Sequence, residues 1–186
     1  MTKRFDLHNQ RFAGERMTQA WSDLCLWEAF FNERRLGTLI ELGTGAGGMA
    51  LFLGLQCHQR GIQFYTFDHQ QHFDFSRGLA QLINLHASFR HVDIFSEAGI
   101  EYISGVMEDC PRPLAVFFDN GNKRREWSLF AARLRAGDFC IVHDWGKEFT
   151  EEDIGGEPVE RVLDAQRWKS PKQPTGMTVW FERRQG

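Results

Sequence analysis

The sequence has 186 residues, enough to bury one sizeable hydrophobic core, and a second domain is not expected. Its formal net charge of −3, without any block rich in lysine and arginine, argues against a nucleic-acid partner. No apolar run approaches the ~18 residues of a membrane span, and the polar N-terminus lacks the apolar stretch of a secretory signal. We therefore expect one cytoplasmic domain, residues 1–186, that acts on a small molecule and has no membrane partner.

Helices and strands are predicted to alternate along the chain. A first helix is expected over about residues 14–35, inside an N-terminal helical cap of residues 1–36. The elements that follow are a strand over 38–42, a helix over 48–60, a strand over 64–67, a helix over 77–86, a strand over 89–93, a helix from 96, a strand over 114–118, a helix around 127–134 and a strand over 139–143. Such alternation predicts an α/β protein with a mostly parallel, doubly wound sheet.

The pattern loosens after Asp144. Residues 145–157 are polar and glycine-containing, and we expect a substrate loop or lid over 145–176. Within that region a short helix is predicted from Pro158 to about residue 168, and a strand is predicted over 177–181.

A glycine-rich turn between the first strand and its helix is the most informative motif. Gly43, Gly45 and Gly48 fit the pattern G-x-G-x-x-G, in which glycines permit a tight turn and a close approach to a ligand. The following helix N-terminus offers unpaired N–H donors. Asp68 lies 20 residues after Gly48, where a ribose-binding acid is expected. The motif predicts a nucleotide cofactor and leaves a nicotinamide cofactor open.

Two further residues distinguish this loop from the dinucleotide pattern. Glu41 lies two residues before the first glycine, and Gly47 completes the spacing E-x-G-x-G-x-G. The run resembles motif I of the class I S-adenosylmethionine-dependent methyltransferases, and segments 21–24, 39–44 and 47–53 look most like the cephalosporin hydroxylase and macrocin O-methyltransferase-like branch. The resemblance implies S-adenosylmethionine as cofactor and O-methylation of a small hydroxylated compound, such as a sugar or natural product.

The resemblance also implies a three-layer Rossmann-like methyltransferase fold whose last strand is antiparallel. Because only the strand over 177–181 is apparent after the fifth, we expect the usual seven-stranded sheet to lack one strand. Each earlier strand ends in or just before an acid: Glu41, Asp68, Asp93, Asp119 and Asp144. Since open α/β sheets bind ligands at the carboxyl ends of their strands, these acids should gather around the ligand.

Cofactor contacts are predicted at the ends of the first four strands. Asp68 would bind the ribose hydroxyls, because one carboxylate can accept both. By resemblance, Asp93 would face the adenine amino group, and Glu41 with the glycines would hold the methionine part. We prefer His69 as a loop residue near adenine over a metal clip with His72. The predicted cofactor residues are Glu41, Gly43, Thr44, Gly45, Gly47, Gly48, Asp68, His69, Asp93 and Asp119.

Asp119, His143 and Asp144 are predicted to converge at the ends of two neighbouring strands. Two carboxylates and an imidazole could hold a divalent cation, Mg or Mn, that lowers the pKa of a coordinated hydroxyl. This resembles the metal-dependent O-methyltransferases of the branch, whose acidic pair is here His143-Asp144. The strand-four motif reads Asp119-Asn120-Gly121 in place of Asp-Gly-Asp, so Gly121 stands where some members have a base.

His143 is the preferred general base, because imidazole titrates near neutral pH, and it would act directly if no metal binds. Lys123 is the second candidate for proton transfer, although its polar run, residues 120–125, is more typical of a solvated helix start.

Two other functions stay open. One is a nicotinamide oxidoreductase, although a Tyr-x-x-x-Lys motif is absent. The other is a cofactor-binding protein without activity, which only the altered residues around Asp119 and Asp144 favour. The first helix and the loop 145–157 are expected to recognise the acceptor, together with a neighbouring subunit if the protein is a homodimer.

Overall fold

The computed structural model of the protein describes residues 10–69, 87–165 and 177–186. In chain order its elements are β1 (Arg11–Phe12), β2 (Glu15–Arg16), α1 (Trp21–Glu33), β3 (Thr38–Leu42), α2 (Gly48–Arg60), β4 (Gln63–Asp68), β5 (Ser88–His91), α3 (Glu97–Asp109), β6 (Leu114–Phe118), α4 (Lys123–Phe130), β7 (Phe139–Val142), β8 (Val159–Asp164) and β9 (Val179–Arg183). The helix predicted over 77–86 lies outside the described residues.

Seven strands form one mixed sheet in the order β5-β4-β3-β6-β7-β9-β8. The strands β3 to β7 pair in parallel, whereas β9 is antiparallel to both β7 and β8. The predicted Rossmann-like α/β fold, with a mostly parallel sheet and an antiparallel last strand, is confirmed. The expectation of a missing strand is wrong. β3 lies between β4 and β6, where the strand order reverses, so its carboxyl end marks the switch point of the sheet.

The additional strand is β8, which occupies the start of the segment predicted as a helix from Pro158. A shift of register between Arg161 and Leu163 interrupts the alternation of this strand. The bulge leaves apolar side chains at positions 159, 162 and 163, which is the spacing of a helical face. The irregular strand therefore resembles a helix at the level of sequence.

The first helix begins later than predicted over 14–35. Residues 11–16 form the hairpin β1-β2 instead, and its two turn residues, Ala13 and Gly14, have φ values of 50° and 93°. Such positive values are typical of tight hairpin turns. Helix α1 then starts at Trp21, where the Asp23 carboxylate accepts a hydrogen bond from the Ala20 N–H at 3.2 Å. The N-terminal cap is thus a hairpin followed by a helix.

Helices cover both faces of the sheet and complete three layers. On one face α1 and α2 pack against the sheet, and the fully buried Trp27 ring lies 5.1 Å from Phe117 and 5.5 Å from Trp180. On the other face α3 and α4 pack against the sheet through residues such as Ile103 and Trp127. Alternate residues of each central strand point into these two cores, which explains their continuous apolar sequences.

Three apolar side chains anchor the segment 145–157, although its composition predicts a polar loop. Trp145, Phe149 and Ile154 are buried in the core shared with α3 and α4. The Arg161 guanidinium of β8 lies 4.6 Å from the centre of the Trp145 ring. The segment is therefore packed onto the sheet, and residues 166–176 of the predicted lid lie outside the described residues. Within the described ranges, no helix has the length and apolarity needed to cross a membrane.

Candidate active site

Two of the predicted loop glycines are required by packing within the protein. Gly43 has a φ of +105°, and a Cβ on it would lie 2.5 Å from the carbonyl oxygen of Asp119. A Cβ on Gly48 would lie 2.5 Å from the carbonyl oxygen of Arg16 in the hairpin. Backbone atoms cannot move aside as a flexible side chain can. These glycines therefore let the turn approach β6 and let α2 begin against the hairpin.

Gly45 differs, because it faces open space. Its φ is +53°, and no heavy atom lies within 4 Å of the position that a Cβ would take. Its N–H donates a hydrogen bond of 2.7 Å to Oδ2 of Asp68 at the end of β4. Gly47, with a φ of +86°, is the N-cap residue from which α2 starts. The loop is thus fixed on one side by β4 and open on the other.

Glu41 lies beneath the glycine loop and is completely buried. The Thr66 hydroxyl donates to its Oε2 at 2.6 Å, and the Thr44 hydroxyl lies 2.6 Å from that of Thr66. Burial raises the pKa of Glu41 well above its usual value, and the nearby charges of Asp119 and Asp68 raise it further. Glu41 thus lies under the loop and supports it through Thr66, and its contact with the methionine part of the cofactor stays a prediction.

Asp68 and Asp93, which are also predicted to bind the cofactor, have different surroundings. Asp68 is buried beside the open loop, and the half-exposed His69 places Nδ1 3.8 Å from Asp68 Oδ1. Asp93 is exposed, and its carboxylate accepts the Phe95 N–H at 2.9 Å in the turn that leads into α3. The carbonyl of Asp93 accepts the hydroxyl of the N-cap residue Ser96. Asp93 is thus a turn residue, and His72 lies outside the described residues.

The structure brings Asp119, His143 and Asp144 together as predicted. Nδ1 of His143 lies 3.1 Å from Asp119 Oδ1 and 3.4 Å from Asp144 Oδ2. One potential ligand atom of each residue lies within 4.8 Å of the others. Asp144 has a φ of +55°, a left-handed backbone that aspartate tolerates better than most residues. This turn at the end of β7 directs its carboxylate toward the histidine.

Lys123 enters the same cluster and is 3% exposed. Its Nζ lies 3.5 Å from Asp119 Oδ1, 3.3 Å from Asp144 Oδ2 and 3.1 Å from Glu148 Oε2. Burial would lower the pKa of Lys123, but the charges of Asp119 and Glu126 and the contacts with Glu148 and Asp144 hold it far above its usual value. The interpretation of this residue as part of a solvated helix start is therefore wrong. Lys123 is a buried ammonium group.

The cluster also fixes the charge of His143. Burial alone would lower the pKa of the imidazole, but the charge and hydrogen bond of Asp119, together with Asp144, raise it to about 10. In turn, the hydrogen bond from His143 holds the pKa of Asp144 well below its usual range. The expectation that His143 titrates near neutral pH is wrong for this arrangement. It is an imidazolium at pH 7, held between two carboxylates.

Sequence reasoning missed two residues that position Asp119 and its loop. The buried Gln19, just before α1, donates from Nε2 to Oδ2 of Asp119. The buried Glu126 accepts the N–H groups of Asn120 and Asn122 at 3.3 and 3.1 Å, and burial raises its pKa to about 8. The sequence does contain a signal for the burial of Glu126. Positions 123, 126, 127 and 130 have the spacing of one helical face, and that face is buried.

No protein-family model and no curated protein matches the sequence. Solved structures do match: the apo structure of CmcI has 18% identity and a TM-score of 0.66, with 95% of this chain and 77% of that one covered. CmcI with Mg and S-adenosylmethionine has 19% identity and a TM-score of 0.55 over 75% of this chain and 59% of that one. An S-adenosylmethionine-dependent O-methyltransferase from Thermotoga maritima has 12% identity and a TM-score of 0.58, with 89% and 66% covered.

At these identities the likeness concerns the fold. The match with CmcI covers 95% of this chain, whose described residues contain the seven-stranded sheet with helices on both faces. The chain therefore has the Rossmann-like α/β fold of the S-adenosylmethionine-dependent methyltransferases.

Proposed function

We propose that the protein is an S-adenosylmethionine-dependent methyltransferase that methylates a hydroxyl group of a small molecule, such as a sugar or natural product. One observation carries this proposal. The open side of Gly45, tied to Asp68 at 2.7 Å, lies at the switch point of the sheet, where α/β folds bind their ligands.

The topology of the sheet favours S-adenosylmethionine over a nicotinamide cofactor. Dinucleotide-binding Rossmann sheets have the strand order 3-2-1-4-5-6 and are mostly parallel. Here the antiparallel β9 is inserted between β7 and β8. Among proteins that share the fold, CmcI was solved with Mg and S-adenosylmethionine, and the Thermotoga maritima protein is an S-adenosylmethionine-dependent O-methyltransferase. Both observations support the same cofactor.

The cofactor would lie across the carboxyl ends of β3, β4 and β6. The glycine loop, residues 43–48, would bind the methionine part with its backbone, and Asp68 and His69 would contact the ribose and adenine. Asp93 would lie near the adenine of the cofactor, and Asp119 would lie near its methyl group. Thr44 and Glu41 would hold the loop from beneath through Thr66.

Methyl transfer is an in-line displacement in which the acceptor oxygen forms a bond to the methyl carbon as the carbon–sulfur bond breaks. The acceptor hydroxyl must also lose its proton. Because His143 is protonated and Lys123 is cationic, we assign proton acceptance to the carboxylate of Asp119. The two cations would stabilise the oxygen as negative charge develops on it. His143 then acts as a hydrogen-bond donor, which differs from the base role predicted from its sequence position.

A divalent cation, Mg or Mn, at Asp119, His143 and Asp144 remains a prediction. Such an ion would lower the pKa of the acceptor hydroxyl. The described arrangement does not fit it as it stands. Nδ1 of His143 is engaged with both carboxylates, and the Lys123 ammonium lies within 3.5 Å of their oxygens.

We also propose that residues 1–186 act as one cytoplasmic domain. The hairpin with α1 and the loop 145–157 lie nearest the acceptor side, because Gln19 contacts Asp119 and Glu148 contacts Lys123. These segments would recognise the small-molecule acceptor, with a contribution from the second subunit if the protein is a homodimer.

Calorimetric titration tests the cofactor class. We expect S-adenosylhomocysteine to bind with a single site and NAD to bind more weakly or not at all. Transfer of a radiolabelled methyl group to a panel of hydroxylated compounds then identifies the acceptor. Tighter binding of NAD than of S-adenosylhomocysteine would refute the proposal, and binding without transfer to any hydroxyl would leave a cofactor-binding protein.

A further inference from the structure

We propose that the ammonium group of Lys123 takes the place of a divalent cation in the acidic cluster, so that this site works without a metal. The inference rests on the proposed methyltransferase activity only for its catalytic consequence. The occupancy of the cluster can be measured on its own.

Three carboxylates from two segments surround the Lys123 ammonium. Asp119 follows β6, Asp144 follows β7 and Glu148 belongs to the loop after β7. Their nearest oxygens lie 3.5, 3.3 and 3.1 Å from Nζ, and the lysine side chain is 3% exposed. An ammonium group has three N–H donors, so it can donate one hydrogen bond to each carboxylate. A hard cation bound by carboxylates would use the same oxygens.

The position of Lys123 in its helix is unfavourable unless it has such partners. It is the first residue of α4, where the helix dipole disfavours a positive charge. It also belongs to the buried face of that helix, where an unpaired ammonium would be costly. When a residue violates two local preferences, other interactions are expected to offset the cost, and such violations are typical of functional sites. The three carboxylates provide that compensation.

A divalent cation and the Lys123 ammonium compete for one space. Mg²⁺ binds oxygens at about 2.1 Å in octahedral geometry, so its ligands must close around it. With Nζ between Asp119 and Asp144, an ion would meet a positive charge at the same oxygens. The cluster therefore carries its cation within the chain.

Manganese binding, followed by electron paramagnetic resonance, tests this assignment. We expect the wild-type protein to show no saturable Mn²⁺ site. Lys123→Met removes the charge while keeping an unbranched side chain, and we expect it to gain one site that the double variant with Asp144→Asn loses again. Lys147→Met is the matched control and should behave as wild type, because Lys147 is an exposed lysine next to Glu148 in the loop after β7. Retained binding of S-adenosylhomocysteine and an unchanged circular dichroism spectrum show that a variant is folded.

A saturable Mn²⁺ site in the wild-type protein that Asp144→Asn abolishes would overturn the proposal, whatever the variants of Lys123 do. A folded Lys123→Met protein that binds no Mn²⁺ would also overturn it, because the freed carboxylates would then not form a cation site. Where methyl transfer is detected, it should persist in the presence of a chelator. Failure of S-adenosylhomocysteine to bind would refute the proposed function and leave the result on Mn²⁺ intact.

Discussion

Replacement of Gly45 by alanine should weaken cofactor binding while the protein still folds. The position has a φ of +53°, and no heavy atom lies within 4 Å of the site that the new methyl group would occupy. The substitution therefore adds no clash within the protein. The methyl group instead enters the open space in which we place the methionine part of the cofactor.

The cost to stability can be worked out from the backbone alone. A left-handed conformation costs a residue other than glycine roughly 1–2 kcal/mol. For a domain of this size about 1 kcal/mol lowers the Tm by roughly 2–4 °C. We therefore expect Gly45→Ala to lower the Tm by about 2–8 °C. The affinity for S-adenosylhomocysteine should fall more than about tenfold, which corresponds to at least ~1.4 kcal/mol of binding free energy.

Gly61 provides a matched control at the far end of α2. Its φ is +68°, and its Cβ position is equally open, so Gly61→Ala should lower the Tm by a similar amount. Differential scanning fluorimetry measures the Tm, and calorimetric titration measures the affinity. If Gly45→Ala binds S-adenosylhomocysteine as tightly as Gly61→Ala does, the open side of the loop is not the cofactor site.

Three other substitutions test the roles of single side chains. Asp68→Asn should weaken binding of S-adenosylhomocysteine by roughly 1–3 kcal/mol in titration calorimetry, because the charged partner of the Gly45 N–H and of the proposed ribose contact is lost. Glu41→Gln should change that affinity much less, because Glu41 is completely buried beneath the loop and glutamine keeps its size and an oxygen that can accept from Thr66; a loss as large as that of Asp68→Asn would contradict its supporting position. His143→Gln should be less stable than wild type near pH 6, and thermal melts should show the difference shrinking as pH rises toward 10. The pKa of His143 is raised from 6.5 to about 10 on folding. The stabilisation that the charged imidazole gives is therefore complete below pH 6.5 and is lost as the pH rises through about 10. A stability difference between variant and wild type that stays constant from pH 6 to 10 would contradict the ion pair.

The parallel part of the sheet could be predicted because its signals are local. The strands β3 and β6 are short apolar runs, and each is followed by a turn and a helix, Gly48–Arg60 and Lys123–Phe130. The rule that ligands bind at the carboxyl ends of parallel strands then predicts the position of the candidate site. The meeting of Asp119 with His143 follows from the pairing of β6 with β7.

The strand β8 could not be predicted, because its signal is misleading. A bulge near Arg161 converts the period of two into a spacing of three and four. The antiparallel pairing with β9, the next strand of the described residues, is what determines its conformation. Likewise, Ala13 and Gly14 form a turn that a helical interpretation of residues 14–35 overlooks.

The charge state of the candidate site could not be predicted from the sequence for a different reason. His143 has an ordinary pKa near neutrality until it is buried beside Asp119 and Asp144. Lys123 looks solvated until helix α4 turns it toward three carboxylates. None of the three carboxylates is adjacent to the lysine in the sequence, and the burial of Lys123 can be inferred only from its spacing to Trp127 and Phe130. A pKa depends on such surroundings, so residue type alone predicts it poorly.

The five strand-end acids show how one sequence feature yields different chemistry. Glu41 is enclosed by the sheet, where burial raises its pKa, whereas Asp68 accepts a hydrogen bond from the loop that faces open space. Asp93 begins a turn and is exposed. Asp119 and Asp144 meet two cations because a histidine follows β7 and a lysine begins α4. The end of each strand places its acid at the carboxyl edge of the sheet, and the element packed against that acid determines whether it is enclosed, exposed or paired with a cation.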